Sequence, residues 1–158
     1  MLFLFGGRVK IWIDADACPK VVKELVFKAS FRLEVSVTLV ANSYMAVPPS
    51  PLINSIQVDQ GADVADQYIV EHVEKDDLVI TADIPLAAFV VEKGATAINP
   101  RGELYTEENV RERLSVRDFM QDLRDSGVDT GGPAAFGPKD KEAFANSLNR
   151  LLTQLTRS

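Results

Sequence analysis

Two aspartates, Asp14 and Asp16, stand one residue apart at the end of the apolar run Ile11-Trp12-Ile13 and just before Ala17-Cys18-Pro19-Lys20. Val9 to Ile13 is short and rich in β-branched and aromatic residues, the composition of a buried strand. Pro19 suits a first helical turn, and Val21, Val22, Leu25, Val26 and Ala29 follow at helical spacing. The carboxylates therefore occupy the loop at the carboxyl end of a strand, which is where open α/β sheets bind ligands. Like charges held this close oppose one another unless a cation or a proton offsets them. The chemistry the pair points to is that of a metal ion.

More acids stand at equivalent junctions. Asp63 and Asp66 follow Gly61 and open a predicted helix, where a spacing of three puts them on one face with Cβ atoms roughly 5–6 Å apart. Alone, they read as partners of the helix dipole. Asp83 follows Leu78-Val79-Ile80-Thr81-Ala82 and precedes a helix, a position that also suits an ordinary N-cap. If the strands from Val9 and Leu78 are neighbours where the strand order reverses, Asp14, Asp16 and Asp83 meet in one crevice, and the helix at Asp63 presents its acids over the same edge. Four or five carboxylates in one crevice call for Mg²⁺ or Mn²⁺, most commonly for chemistry at a phosphoryl group.

The elements that must position these acids alternate along the chain. Strand-like runs at Leu33–Val40, Ser55–Val58, Leu78–Thr81 and Ala95–Ile98 join that at Val9–Ile13. Helical patterns cover 18–29, 62–74, 84–93, 106–113, 116–126 and 139–156, with Thr106 and Ser115 as N-caps and Gly94 as a stop. Alternation of this kind predicts an α/β fold, a three-layer α/β/α (Rossmann-like) arrangement with a mainly parallel sheet of about five strands and extra C-terminal helices. Pro48, Pro49 and Pro51 forbid a long helix between the second and third strands and leave room for one turn starting at Ser50-Pro51. Residues 127–138, with four glycines and two prolines, read as a linker to the amphipathic helix 139–156, whose Phe144, Leu148, Leu151, Leu152 and Leu155 share a side.

Composition sets the limits. At 158 residues and 46% hydrophobic the chain is the size of one domain, 1–158, with a real core. No apolar run approaches a membrane span, and Met1–Phe5 is too short for a signal peptide, with its basic residues Arg8 and Lys10 following it. One cysteine makes no internal disulfide, which suits the cytoplasm. One Cys and one His cannot build a usual zinc site, so a metal here is oxygen-bound. The net charge of −6 argues against bulk coating of nucleic acid, though not against an enzyme that acts on it.

Several residues have plainer readings. Cys18 is a small packing residue in a tight turn, and His72 lies on a solvated helix side among Glu71, Glu74 and Lys75. Asn99 and Arg101 follow the last strand and so fall near the crevice as substrate-binding candidates, Arg101 for a phosphate; the competing reading is a Pro-Arg-Gly turn. Asn42, after the second strand, is a weaker candidate of the same kind. Arg111, Arg113, Arg117 and Arg124 are interleaved with acids, which describes a salt-laced helical surface.

Asp14-Ala-Asp-Ala-Cys-Pro, Gly61-Ala-Asp-Val-Ala-Asp, Ile80-Thr-Ala-Asp-Ile-Pro-Leu-Ala and Asn99-Pro-Arg-Gly-Glu closely resemble the YaiI/YqxD family of uncharacterised bacterial proteins, over about residues 9 to 155. That family is in turn similar to PIN-like and NYN-type nuclease domains. Those place an Asp after the first strand, an Asp pair at the helix after the third, and a Thr/Ser-x-Asp after the fourth. The resemblance implies a PIN-like domain, with Asp14, Asp63 or Asp66, and Asp83 as metal ligands and Asp16 nearby. Ala15-Asp16 stands where NYN domains carry Gly-x-Asn.

Three functions compete. The first is a divalent-metal-dependent phosphodiesterase acting on RNA, with Asp14 and Asp83 catalytic and Asp14, Asp16, Asp63, Asp66 and Asp83 holding Mg²⁺ or Mn²⁺. The second is a haloacid-dehalogenase-like phosphatase with Asp14 as nucleophile and Asp16 as its acid–base partner; against it, Cys18 replaces the usual Thr or Val and no lysine is clearly placed for the phosphate. The third is a metal- or RNA-binding module without turnover.

Overall fold

A computed structural model describes residues 9–61, 63–131 and 134–156. The Met1–Phe5 stretch and Arg8, Ala62 at the predicted start of the second helix, and Gly132-Pro133 of the linker lie outside the described residues.

Five strands form one parallel sheet: β1 (Lys10–Asp14), β2 (Ser36–Ala41), β3 (Ile53–Gln57), β4 (Leu78–Ile80) and β5 (Thr96–Ile98), in the order β3-β2-β1-β4-β5. Helices α1 (Lys20–Leu33), α2 (Val64–His72), α3 (Ile84–Glu92), α4 (Glu107–Asp125) and α5 (Pro138–Leu155) complete the chain. The fold is the expected three-layer α/β/α arrangement. Alternation along the strands divides the core in two. Ile11, Ile13, Leu39 and Ile80 pack under α1 and α5, where Val22, Val26, Phe144, Leu148 and Leu152 meet them. Trp12, Val40 and Val79 face the other way, under α2, α3 and the start of α4, against Ile69, Leu86, Val90 and Val110. Each such large side chain contributes roughly 1.5–3 kcal/mol through burial, so the sheet is clamped from both faces.

Boundaries differ from the sequence reading in ways that local chemistry explains. Helix α1 runs to Leu33, four residues beyond 29, because nothing breaks its backbone before Glu34, which ends it in a left-handed conformation with φ 56°. Strand β2 consequently starts at Ser36 instead of Leu33. The predicted helices 106–113 and 116–126 are one helix, α4. Thr106 supplies its N-cap through a reciprocal capping box with Asn109, whereas Ser115 sits inside it. Serine costs a helix interior only about half a kcal/mol relative to alanine, too little to break it.

Between β2 and β3 the chain makes the single turn expected at Ser50: Ile53 N donates to Ser50 O at 3.3 Å and Leu52 N to Ser50 Oγ at 3.2 Å. The C-terminal helix is seated by a glycine. Gly102, at φ 88°, lies so close to α5 that an added Cβ would stand 2.5 Å from Ala143 O, and Ser147 Oγ donates to Gly102 O at 2.6 Å. Among the described residues no helix is long and apolar enough to cross a membrane.

Candidate functional site

From β1 the chain moves to β2 and β3 on one side and returns through α2 to β4 on the other, so the strand order reverses between β1 and β4. The carboxyl ends of those two strands flank a crevice. Ile13 pairs with Ile80, so Asp14 and Thr81 leave their strands side by side. Trp12 packs toward α2 and α3, and Asp14, two residues on, takes the same face.

Thr81 organises this corner. Its hydroxyl donates to Asp14 Oδ2 at 2.8 Å and accepts the Asp83 backbone N–H at 2.9 Å. Tyr105, buried beneath, donates its hydroxyl to Thr81 O at 3.1 Å. Asp83 is the N-cap of α3, with Oδ1 accepting from Leu86 N at 2.9 Å. Asp66, in the first turn of α2, lies near enough to Asp83 and Asp14 to feel their charges. Asp63, exposed at the start of α2 with φ 68°, adds its charge to that felt by Asp66. Aspartate is among the few residues that tolerate that left-handed conformation.

The acids feel one another. Burial pushes the Asp66 carboxyl up to about 7, helped by the charges of Asp83 and Asp14, a hydrogen-bonding approach to Asp83, and the charge of Asp63. Asp14 is also raised, chiefly by burial; the Thr81 hydroxyl opposes the shift, while Asp83 and Asp16 add to it. Buried carboxylates beside other carboxylates hold their protons more strongly than exposed ones.

The other expected site residues separate into two groups. Asp16 turns toward β2, where both its oxygens accept the Asn42 backbone N–H at 3.1 and 2.9 Å, and Asn42 Nδ2 donates to Asp59 O at 2.9 Å. These two tie the loops after β1 and β2 together at the edge of the crevice. Asn99 and Arg101 are engaged elsewhere. Asn99 Oδ1 accepts from Arg101 N and Glu103 N, both at 2.9 Å, and its amide donates to Glu103 Oε1 at 2.7 Å. Arg101 donates to Asp140 Oδ2 at 2.7 Å and to Ala134 O, with its guanidinium 5.8 Å from the Phe136 ring. Arg101 fastens the approach to α5 onto the turn after β5, so the turn reading fits these contacts better than phosphate capture.

Cys18 is buried, and burial pushes its thiol up to about 12 despite Lys23, as expected for a packing residue. His72 is exposed and stacks on Tyr68 with ring centroids 4.0 Å apart. Arg113 pairs with Glu103 at 3.4 Å and Arg117 with Asp118 at 3.6 Å, the salt-laced surface expected of α4.

The sequence reading passed over Thr81 and Tyr105 as site residues. A hydroxyl two residues before Asp83 was the available signal for Thr81; Tyr105 lies after β5 and only the folded chain brings it beneath Thr81. Asp77 was also missed. It lies at the opposite, amino-terminal edge of the sheet, buried, and accepts the Trp12 indole N–H at 3.0 Å and Glu74 N at 2.8 Å.

Residues 12–154 match the family described as "Uncharacterized BCR, YaiI/YqxD family". A UPF0178 protein of Shewanella sp. strain MR-7 is 62% identical over 150 residues, covering 95% of this chain and 99% of that one. UPF0178 proteins of Pseudoalteromonas atlantica and Syntrophotalea carbinolica are 61% and 62% identical over 146 residues, covering 92% of this chain and 99% of each. No solved structure matches the chain at a significant level. With nearly its whole length matched, and with Asp14, Asp63, Asp66 and Asp83 inside the matched residues, the chain belongs to the YaiI/YqxD family.

Proposed function

We propose that the crevice is the site of a divalent-metal-dependent phosphodiesterase of ribonuclease type, in a PIN-like domain of the cytoplasm. The observation that carries the reading is that Thr81 ties Asp14 and Asp83 together at the point where strand order reverses, with Asp66 near enough that burial and the charges of Asp83 and Asp14 raise it to about 7. Structural carboxylates seldom crowd together unless function requires it.

The donor set fits Mg²⁺ or Mn²⁺. It is all carboxylate oxygen, without an imidazole or an ionised thiol to favour zinc. Among the described residues no three His, Cys, Asp or Glu side chains stand grouped to hold an ion, so a cation here would complete its shell with water. Asp14, Asp66 and Asp83 are the residues that would hold the cation, with Asp63 and Asp16 flanking. A bound cation supplies an activated water and charge stabilisation at the leaving oxygen.

The remaining chemistry belongs to the chain. Thr81 fixes Asp14 by donating to Oδ2, which leaves Oδ1 for a ligand. Asp83 uses Oδ1 to cap α3, which locks its rotamer and leaves Oδ2 for a ligand. Asp66 keeps its proton up to about pH 7, so a cation held there would displace that proton, and its binding would strengthen as pH rises. The phosphatase alternative needs Asp16 beside Asp14 as a free acid–base, and Asp16 is bound to the Asn42 amide instead.

The test is cleavage of single-stranded RNA by purified protein with Mn²⁺, against Asp14→Asn and Asp83→Asn. Cleavage by the parent and not by the variants is expected. A parent protein that cleaves neither RNA nor DNA and traps no phosphate would leave the non-enzymatic metal- or RNA-binding reading in its place.

A further inference from the structure

A second concavity opens at the same sheet edge, on the other face. It lies between the start of α1 and the connection from β2 to β3, encloses about 460 Å³, and is lined by Lys20, Lys23, Glu24, Phe27, Met45 and Pro48. That volume suits a small organic ligand. Its lining combines apolar side chains (Phe27, Met45, Pro48) with two lysines, Lys20 and Lys23, and one carboxylate, Glu24.

Lys23 is the informative residue. It is half-buried, and its ammonium donates to Met45 Sδ at 3.3 Å; among the described residues no carboxylate pairs with it. A thioether is a weak acceptor and an ammonium has three donors, so Lys23 keeps hydrogen-bonding capacity for a further ligand. A half-buried ammonium with no carboxylate partner among the described residues is a ready partner for an anion. The cavity also adjoins the acid crevice. Cys18 lies between Asp14 and Lys20 in the sequence, and the loop pinned to Asp16 at Asn42 delivers Met45 three residues later.

We infer that this cavity is a nucleotide subsite: an aromatic base lies against Phe27 and Met45 while the attached phosphate is held by Lys20 and Lys23. The inference rests on the phosphodiesterase reading for one point only, that the nucleotide is a unit of the strand whose backbone crosses Asp14. Stacking on an aromatic side chain tolerates any base, so the subsite confers grip without sequence preference. Two lysines bind phosphate as point charges, which makes that grip sensitive to salt.

The experiment is amide-resolved NMR of the full chain titrated with adenosine monophosphate, adenosine, and inorganic phosphate separately. Adenosine monophosphate is expected to shift the resonances of Lys20 to Phe27 and of Met45, at concentrations roughly tenfold lower than either half alone. Lys20→Ala with Lys23→Ala should remove the response, and Phe27→Leu should weaken it while Tm stays within a few degrees. Inorganic phosphate binding as tightly as the nucleotide, or nucleotide shifts that map elsewhere, would overturn the subsite. A tetranucleotide titrated into Asp14→Asn should shift both the cavity and the Asp83 region; shifts at neither would overturn the strand placement. Cleavage assays separate the two claims. Nucleotide binding here by a protein that cuts no RNA sinks the nuclease reading alone, and RNA cleavage with unchanged KM in the lysine variants sinks the subsite alone.

Discussion

The Thr81 hydroxyl stands between two acids of the crevice, donating to Asp14 Oδ2 at 2.8 Å while accepting the Asp83 amide at 2.9 Å. One buried side chain thus fixes the ends of two adjacent strands and opposes the rise that burial imposes on Asp14. Thr81→Val keeps the shape and removes both bonds. It should cost about 1–3 kcal/mol, because the Asp83 amide and the Asp14 carboxylate each lose a partner. Urea denaturation measures this, and a variant as stable as the parent would show that the hydroxyl does not hold the corner together.

Acid crowding predicts the direction of a pH effect. Asp66 is raised to about 7 in the folded chain, against an ordinary value of 3.8 when unfolded. Between those values the folded state keeps a proton that the unfolded state has lost, so this group's contribution to stability is complete below about pH 4 and falls as pH rises toward 7. Asp66→Asn should flatten that decline. Melting temperatures of parent and variant at pH 5 and pH 7.5 give the comparison, and equal slopes would argue against a shifted Asp66.

Added Mn²⁺ should raise the parent melting temperature, since a ligand bound only by the native state stabilises by mass action, about 2.7 kcal/mol at a hundredfold excess over Kd. Asp14→Asn should respond much less, and chelator should return the parent to its starting value. A parent that ignores Mn²⁺ would remove the metal from the proposed site.

For catalysis, Asp83→Asn is the sharper variant. Asparagine caps a helix as well as aspartate does, so α3 keeps its start while the charge is lost. RNA cleavage should fall by at least roughly a hundredfold with circular dichroism unchanged, the scale expected when a group stabilising charge in the transition state is removed. Activity close to the parent would mean that Asp83 only caps.

Gly102→Ala tests the seating of α5. The new Cβ would meet Ala143 O at 2.5 Å at a φ of 88°, a backbone clash and a strained conformation together. A loss of at least about 2 kcal/mol is expected, with the crevice acids untouched. Arg101→Ala should lower Tm by releasing Asp140 and Ala134 and leave RNA cleavage unchanged.

Strand–helix alternation and the positions of the acids were legible in the sequence, because a strand's apolar run and a helix's stripe are local patterns. Asp14, Asp66 and Asp83 all read correctly as junction residues, and Thr106 as a cap. The single helix from Glu107 to Asp125 was not legible: a serine inside a helix and a serine before one look alike until the backbone closes. Nor could sequence say what Arg101 holds, since Asp140 lies far along the chain and meets Arg101 only when α5 docks. Strand order was the decision of tertiary structure. Pairing β1 with β4 places Asp14 beside Thr81 and gives Asp66 and Asp83 a common space, while Asp16, two residues from Asp14, turns to Asn42. Local pattern determines which residues stand at strand ends. Which ends become neighbours depends on burying both faces of the sheet at once, and that is a property of the whole chain.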